Sequence, residues 1–194
     1  MRRIVVGDVE GRSRVVEAGP PPRTRAARHT PGFEQSVVWA TAPSPTTDVP
    51  ATDPALSLRS LVPEVGATRV IMLTLPPDAV FAGPDFDPGP AALEMLDIAP
   101  GLAELFETEH PGMHTTPTVD YDIVLDGELC LELSDGEIVV GPGDVIVQHG
   151  TRHAWRNRTN QPARLLAVLI GAGPSSPAAP STGSAGAASG GDEL

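Results

Sequence analysis

Two short stretches hold most of the side chains that could do chemistry together. One is His114-Thr115-Thr116-Pro117-Thr118-Val119-Asp120, running on to Asp122; the other is His149-Gly150-Thr151-Arg152-His153, running on to Trp155 and Asn157. Imidazoles and carboxylates both bind divalent first-row metals and move protons near neutrality. In a strand alternate residues share a face. Residues 114, 116, 118, 120 and 122 therefore line one side if the strand runs on past Pro117, and 153, 155 and 157 line one side of another. With both faces turned to a common interior, His114, His153 and the Asp120 carboxylate surround one point. Two imidazoles and a carboxylate on one side of a metal leave the opposite positions open, an arrangement suited to Fe(II), Mn, Ni or Zn. Asp122 shares the face of Asp120 and is the first candidate for a further acid or base. His110, in the loop before Pro111-Gly112, and His149 are the other candidates for a base or an extra ligand. Tyr121 has the opposite parity and should point away. Trp155 either walls a pocket beside His153 or packs in the core.

Strands must position these groups, and the chain around them is written as strands. Asp120–Leu125, Glu128–Leu133, Glu137–Val140, Asp144–Gln148, Ala154–Asn157 and Arg164–Ile170 all read as extended segments. Turn residues separate them at Asp126-Gly127, Ser134-Asp135-Gly136, Gly141-Pro142-Gly143 and Thr159-Asn160-Gln161-Pro162. Short strands at this spacing predict a sandwich or barrel. Upstream, Ile4–Val6 and Arg14–Glu17 flank Glu10-Gly11-Arg12 as a hairpin, and Ser36–Thr41 and Arg69–Leu75 are further strands. Residues 42–66, rich in Pro, Thr and Asp, read as a long surface excursion. A short helix is predicted over Ala91–Leu96 and a helical turn over Leu102–Phe106.

The spacing of the two clusters resembles the motifs of the cupin superfamily over residues 108–171. In the first motif, His114 stands at the first His, Asp120 at the Glu and Gly127 at the closing Gly, with six residues between Asp120 and Gly127. In the second, Gly150, His153 and Asn157 match. The sequence departs from the pattern at Thr116, where a second His is usual, at Asp120, shorter than Glu by one methylene, and at Gln148, where a proline is usual. The resemblance implies an all-β fold, a double-stranded β-helix or jelly-roll barrel completed by N-terminal strands and a short helical segment. It also implies one bound divalent metal ion on His114, Asp120 and His153; Asp122, His110 and His149, read from parity and position, are the candidate catalytic groups beside it. A homodimer built through the N-terminal strands is a further implication.

The resemblance divides the chain into an N-terminal part (1–107), a core (108–171) and a tail (172–194). The tail is Gly, Ser, Ala and Pro with little apolar bulk and is expected to be disordered. The formal net charge is −12, with arginine as the only strongly basic side chain, which argues against nucleic acid or an anionic membrane as partner. The single cysteine, Cys130, excludes an internal disulfide and reads as packing. No apolar stretch is long enough for a leader or a span, so a cytoplasmic protein is expected. A small-molecule substrate is the expected partner. Three functions are open: a metal-dependent lyase, dehydratase or decarboxylase acting on a small oxygenated molecule; an Fe(II) dioxygenase; or a non-catalytic metabolite-binding barrel.

Overall fold

A computed structural model describes residues 1–174. Eleven strands run in chain order: β1 (Arg3–Val9), β2 (Arg12–Gly19), β3 (Arg23–Ala26), β4 (Glu34–Thr41), β5 (Thr68–Leu75), β6 (Thr118–Asp126), β7 (Leu129–Leu133), β8 (Gly136–Val140), β9 (Val145–His149), β10 (His153–Arg156) and β11 (Ala163–Gly171). One α-helix, α1 (Pro88–Ile98), and short 3-10 turns at Pro54–Ser57, Asp78–Ala82 and Ala103–Leu105 complete the described elements. The predicted strands are all present. The helix begins earlier than its apolar residues suggest, because the Asp87 side chain caps it and Pro88 occupies its first turn.

A six-stranded sheet in the order β3-β4-β5-β11-β6-β9 faces a three-stranded sheet in the order β10-β7-β8, and every pairing given by the register is antiparallel. This is the expected all-β jelly-roll arrangement. β1 and β2 form a separate hairpin, turned by Glu10 and Gly11 at positive φ, as a tight hairpin requires. β3 was not expected: its Arg-Thr-Arg-Ala has no apolar alternation, and pairing with β4 makes it a strand.

Two apolar clusters form the core, the first between the two sheets and the second between the six-stranded sheet and the segments that pack on it. Val124, Leu129, Val140, Ala163 and Leu165 form one, with Trp155 packed against it, so Trp155 serves the core. The other joins Val37, Ile71, Ala167 and Leu169 to Ala99 and Ala103, with Met95, Leu102 and Phe106 against it. The segment from α1 to Phe106 therefore closes the barrel on the side of this second cluster. The buried Gln35 side chain fixes the closure by donating to the Ile98 carbonyl at 2.9 Å, which occupies an acceptor the helix end leaves free.

The stretch 42–66 is mostly exposed, as expected of a surface excursion, but it is anchored at a few buried residues. Ala55 and Leu61 are fully buried in the second cluster. Asp53 and Pro54 turn the chain inward: the Asp53 carboxylate accepts from the Ala55 N–H at 2.8 Å. Polar composition hid two anchoring residues. Cys130 is buried and unpaired, as expected. Among the described residues no helix is long and apolar enough to cross a membrane. Residues 175–194, most of the expected tail, lie outside the described residues.

Candidate metal centre

His114 and His153 meet through the backbone first. They form an isolated antiparallel bridge in which each N–H donates to the other's carbonyl at 2.9 Å. Residues paired this way project side chains to the same side, and the imidazole centroids stand 4.4 Å apart at an interplanar angle of 50°. Each ring is anchored at Nδ1: His114 to the Gly112 carbonyl at 3.0 Å, His153 to the Thr151 carbonyl at 2.9 Å. A carbonyl only accepts, so Nδ1 carries the proton in both rings and Nε2 is left as the basic nitrogen.

Burial lowers the pKa of both imidazoles, that of His153 to about 4, where the neighbouring His114 adds to the effect. Both are therefore neutral at pH 7, the state a metal requires. The supporting loop is itself held. Arg156 donates to the Pro111 carbonyl at 2.8 Å, and Arg152 forms a two-pronged ion pair with Glu107 at 2.6 Å. Phe106, at the end of the closing segment, packs its ring edgewise against His114 with centroids 5.2 Å apart.

The carboxyls come from β6, whose even-numbered residues Thr118, Asp120, Asp122 and Val124 are buried while Tyr121 is exposed on the other face. Asp122 stands opposite Ala167 on β11 and Asp120 opposite Leu169. Burial raises both pKa values, that of Asp122 to about 7, opposed by a bond from Gln148 and reinforced by Asp120. Asp120 Oδ1 is buried without a hydrogen-bond partner. The Thr118 hydroxyl lies between the Asp120 carboxyl and the Thr116 hydroxyl, to which it donates at 2.7 Å. Thr116 thus takes up a polar contact where the motif's second imidazole would stand.

Gln148 is the residue that motif spacing passed over. It is buried on β9 opposite Asp120 in register. Its Nε2 donates to Asp122 Oδ2 at 2.6 Å and lies 3.3 Å from His153 Nε2, and its Oε1 accepts from the Thr151 hydroxyl at 3.1 Å. One amide therefore joins the carboxyl side of the site to the imidazole side. The available signal was strand parity: an even-numbered polar residue on the strand beside β6 faces inward with Asp120.

The other predicted residues lie elsewhere. His149 follows Gln148 and projects to the opposite, exposed face of β9; His110 is exposed in the loop near Glu107 and Glu132. Neither is buried with the pair, so strand parity and exposure remove both as replacements for the missing motif imidazole. Asn157 organises a turn, its Nδ2 donating to the carbonyls of Leu75 and Gln161.

The donor chemistry fits a divalent metal at His114 and His153: two neutral rings, each with Nε2 as its basic nitrogen, beside buried carboxyls. The expected trio with Asp120 is not assembled, because among the described residues no three His, Cys, Asp or Glu side chains are grouped closely enough to hold an ion.

A family model described as "Cupin domain" matches residues 101–169. The match to this family covers about a third of the chain. Among characterised proteins this region is similar to phomopsin biosynthesis cluster protein D of Diaporthe leptostromiformis, 42% identical over 91 residues, covering 46% of this chain and 44% of that protein. Oryzines biosynthesis cluster protein J of Aspergillus oryzae is 42% identical over 89 residues, 45% of this chain and 46% of that one. The cupin-domain-containing oxidoreductase fogC of Aspergillus ruber is 36% identical over 80 residues, 39% of this chain and 36% of that one. The matched region thus spans less than half the length of these relatives. A cupin 2 conserved barrel domain protein from Salinispora arenicola is a structural neighbour at 14% identity, covering 60% of this chain and 69% of that one with a TM-score of 0.35, a likeness too loose to carry an argument.

Proposed function

We propose that this cupin domain is a metal-dependent enzyme that moves a proton on a small oxygenated organic molecule, as a lyase, dehydratase or decarboxylase does. The observation that carries the reading is the pair of neutral imidazoles, both anchored at Nδ1, set beside two buried carboxyls in one barrel interior. His114 and His153 would hold the metal, which when bound supplies a Lewis acid for a substrate carbonyl or carboxylate. The carboxyls of β6 supply the proton chemistry. A buried carboxyl with a raised pKa is a stronger base than an exposed one and exchanges its proton near neutrality. The bond from Gln148 fixes the orientation of Asp122. The apolar closure with Met95, Leu102 and Phe106 would exclude bulk water and accept the less polar part of a substrate.

A second reading is an Fe(II) dioxygenase, which the oxidoreductase names of several relatives favour. The two differ in oxygen use. Metal-loaded protein incubated in D2O with a panel of β-hydroxy and β-keto acids is expected to cleave a C–O or C–C bond, or to place deuterium at the α-carbon, without consuming oxygen. Oxygen uptake in step with product by the iron-loaded protein would overturn the proton-transfer reading in favour of the second.

A further inference from the structure

β11 reads Leu165-Leu166-Ala167-Val168-Leu169-Ile170 without a polar residue, and β9 opens with Val145-Ile146-Val147. A strand that shows one face to water alternates apolar with polar side chains. An unbroken apolar run belongs to a strand covered on both faces. Here one face is covered by the fold itself: Leu165, Ala167 and Leu169 turn into the barrel, and the residues between them turn outward. Register aligns the outward side chains. Leu166 of β11 stands opposite Ile123 of β6, which stands opposite Val145 of β9. Val168, Tyr121 and Val147 form the next row in the same way, and Val70 of β5 extends it. Tyr121 is 41% exposed, Val147 52% and Val145 60%, so this apolar face meets water.

The outer side of the three-stranded sheet is built differently. There Glu132 of β7 pairs with Arg156 of β10, and Glu137 of β8 pairs with Arg158. Ion pairs of that kind suit a face turned to solvent. The two rows on the six-stranded sheet hold no charged side chain, in a chain with 25 acidic residues and a formal net charge of −12. Their extent is also that of a contact. Strands lie about 4.8 Å apart and rise about 3.3 Å per residue, so four strands of this length present about 500 Å2. Two such faces together give about 1,000 Å2, the size a specific interface clears.

We propose that the outer face of β11, β6 and β9 is the contact between two copies of this chain, packed sheet to sheet about a two-fold axis. Flat apolar rows complement themselves, and a two-fold contact needs only one patch on each copy. Charge selects the same occupant: two strongly acidic chains repel least where neither brings a carboxylate. The contact differs from the expected one through the N-terminal strands. β1 and β2 also expose Val6 and Val15, but they interleave them with Asp8, Arg12, Arg14 and Glu17. The inner faces of β6 and β9 carry Asp120, Asp122 and Gln148, so the contact clamps the strands that hold the carboxyl side of the site. The inference does not depend on the metal reading.

Sedimentation velocity of the full chain from about 1 to about 100 μM tests it, beside circular dichroism for folding. The wild type is expected to sediment as a dimer. Tyr121→Glu is expected to weaken association about 100-fold or more, because it buries an unpaired carboxylate against a like-charged copy. Val6→Glu, on the hairpin, is expected to leave association within about threefold of wild type. A wild type that stays monomeric throughout overturns the inference and leaves the face to a different partner. A dimer that survives Tyr121→Glu, or one that is lost in Val6→Glu alone, overturns it by placing the contact elsewhere. Should Tyr121→Glu not fold, Val147→Glu on the exposed edge strand replaces it, with the same outcomes.

Discussion

In metal-stripped protein, Asp122→Asn is expected to raise the stability at pH 8 by roughly 4 kcal/mol, a large gain for a single substitution. Burial moves the Asp122 pKa from 3.8 to about 7. Between those values the folded chain holds a proton that the unfolded chain has released, so stability falls as pH rises through the window and the full cost is present above pH 7. A shift of about three units at 1.36 kcal/mol each gives the estimate. The residue is 3% exposed, so solvent screens little of it. Asn is nearly the same size, and its amide oxygen can still accept from Gln148, so the hydrogen bond survives.

His153 works in the opposite direction. Its pKa falls from 6.5 to about 4, so the unfolded chain binds the extra proton and stability rises with pH between 4 and 6.5. In the wild type the two slopes offset, and the curve should be close to flat over that range. Removing the Asp122 titration exposes the His153 slope. Urea unfolding from pH 4 to 9 checks both features; an unchanged stability at pH 8, or a variant curve that falls between pH 4 and 6.5, would show that Asp122 is not held ionised at a cost. Buried groups kept against stability are what a functional site requires.

The second large effect is steric. Gly127→Ala is expected to cost at least about 3 kcal/mol, while Gly136→Ala, also in a hairpin, should cost about 1. Both glycines have positive φ, +73° and +98°, which disfavours a side chain by itself. Only Gly127 is also crowded: a Cβ there would lie 2.8 Å from the Cα of Ala163, a fully buried residue beginning β11. No flexible side chain can yield, so β11 must shift against β6, and β11 carries Ala167 and Leu169 opposite the two carboxyls. Thermal unfolding of both variants gives the comparison; equal losses would mean that backbone strain alone sets the cost. The motif glycine is thus retained for packing, although its position beside the acidic residues suggests chemistry.

Much of this was legible in the residues. Strand parity placed Asp120 and Asp122 inward and Tyr121 outward because one face of β6 is buried, and burial enforces a period of two. The meeting of His114 with His153 followed from motif spacing, although the bridge that joins them is a long-range pairing that local pattern does not record. Gln148 was read only as a missing proline. Glutamine carries no charge, and its significance lies in three contacts made by separate segments. The anchors of residues 42–66 were missed for the converse reason: Ala55 and Leu61 are too few to make a periodic signal, yet both are buried in the second apolar cluster. His110 and His149 drew attention by residue type, and their exposure comes from loop position and strand phase.

The central claim is that His114 and His153 hold a divalent metal, and metal content tests it most directly. Elemental analysis of purified wild type, His114→Ala and His153→Ala, each after reconstitution with iron, zinc, manganese or nickel, is the decisive measurement. Close to one equivalent is expected in the wild type and near-complete loss in both variants, with folding intact by circular dichroism. A wild type that retains no metal under any of these conditions, or variants that retain it fully, would contradict the account.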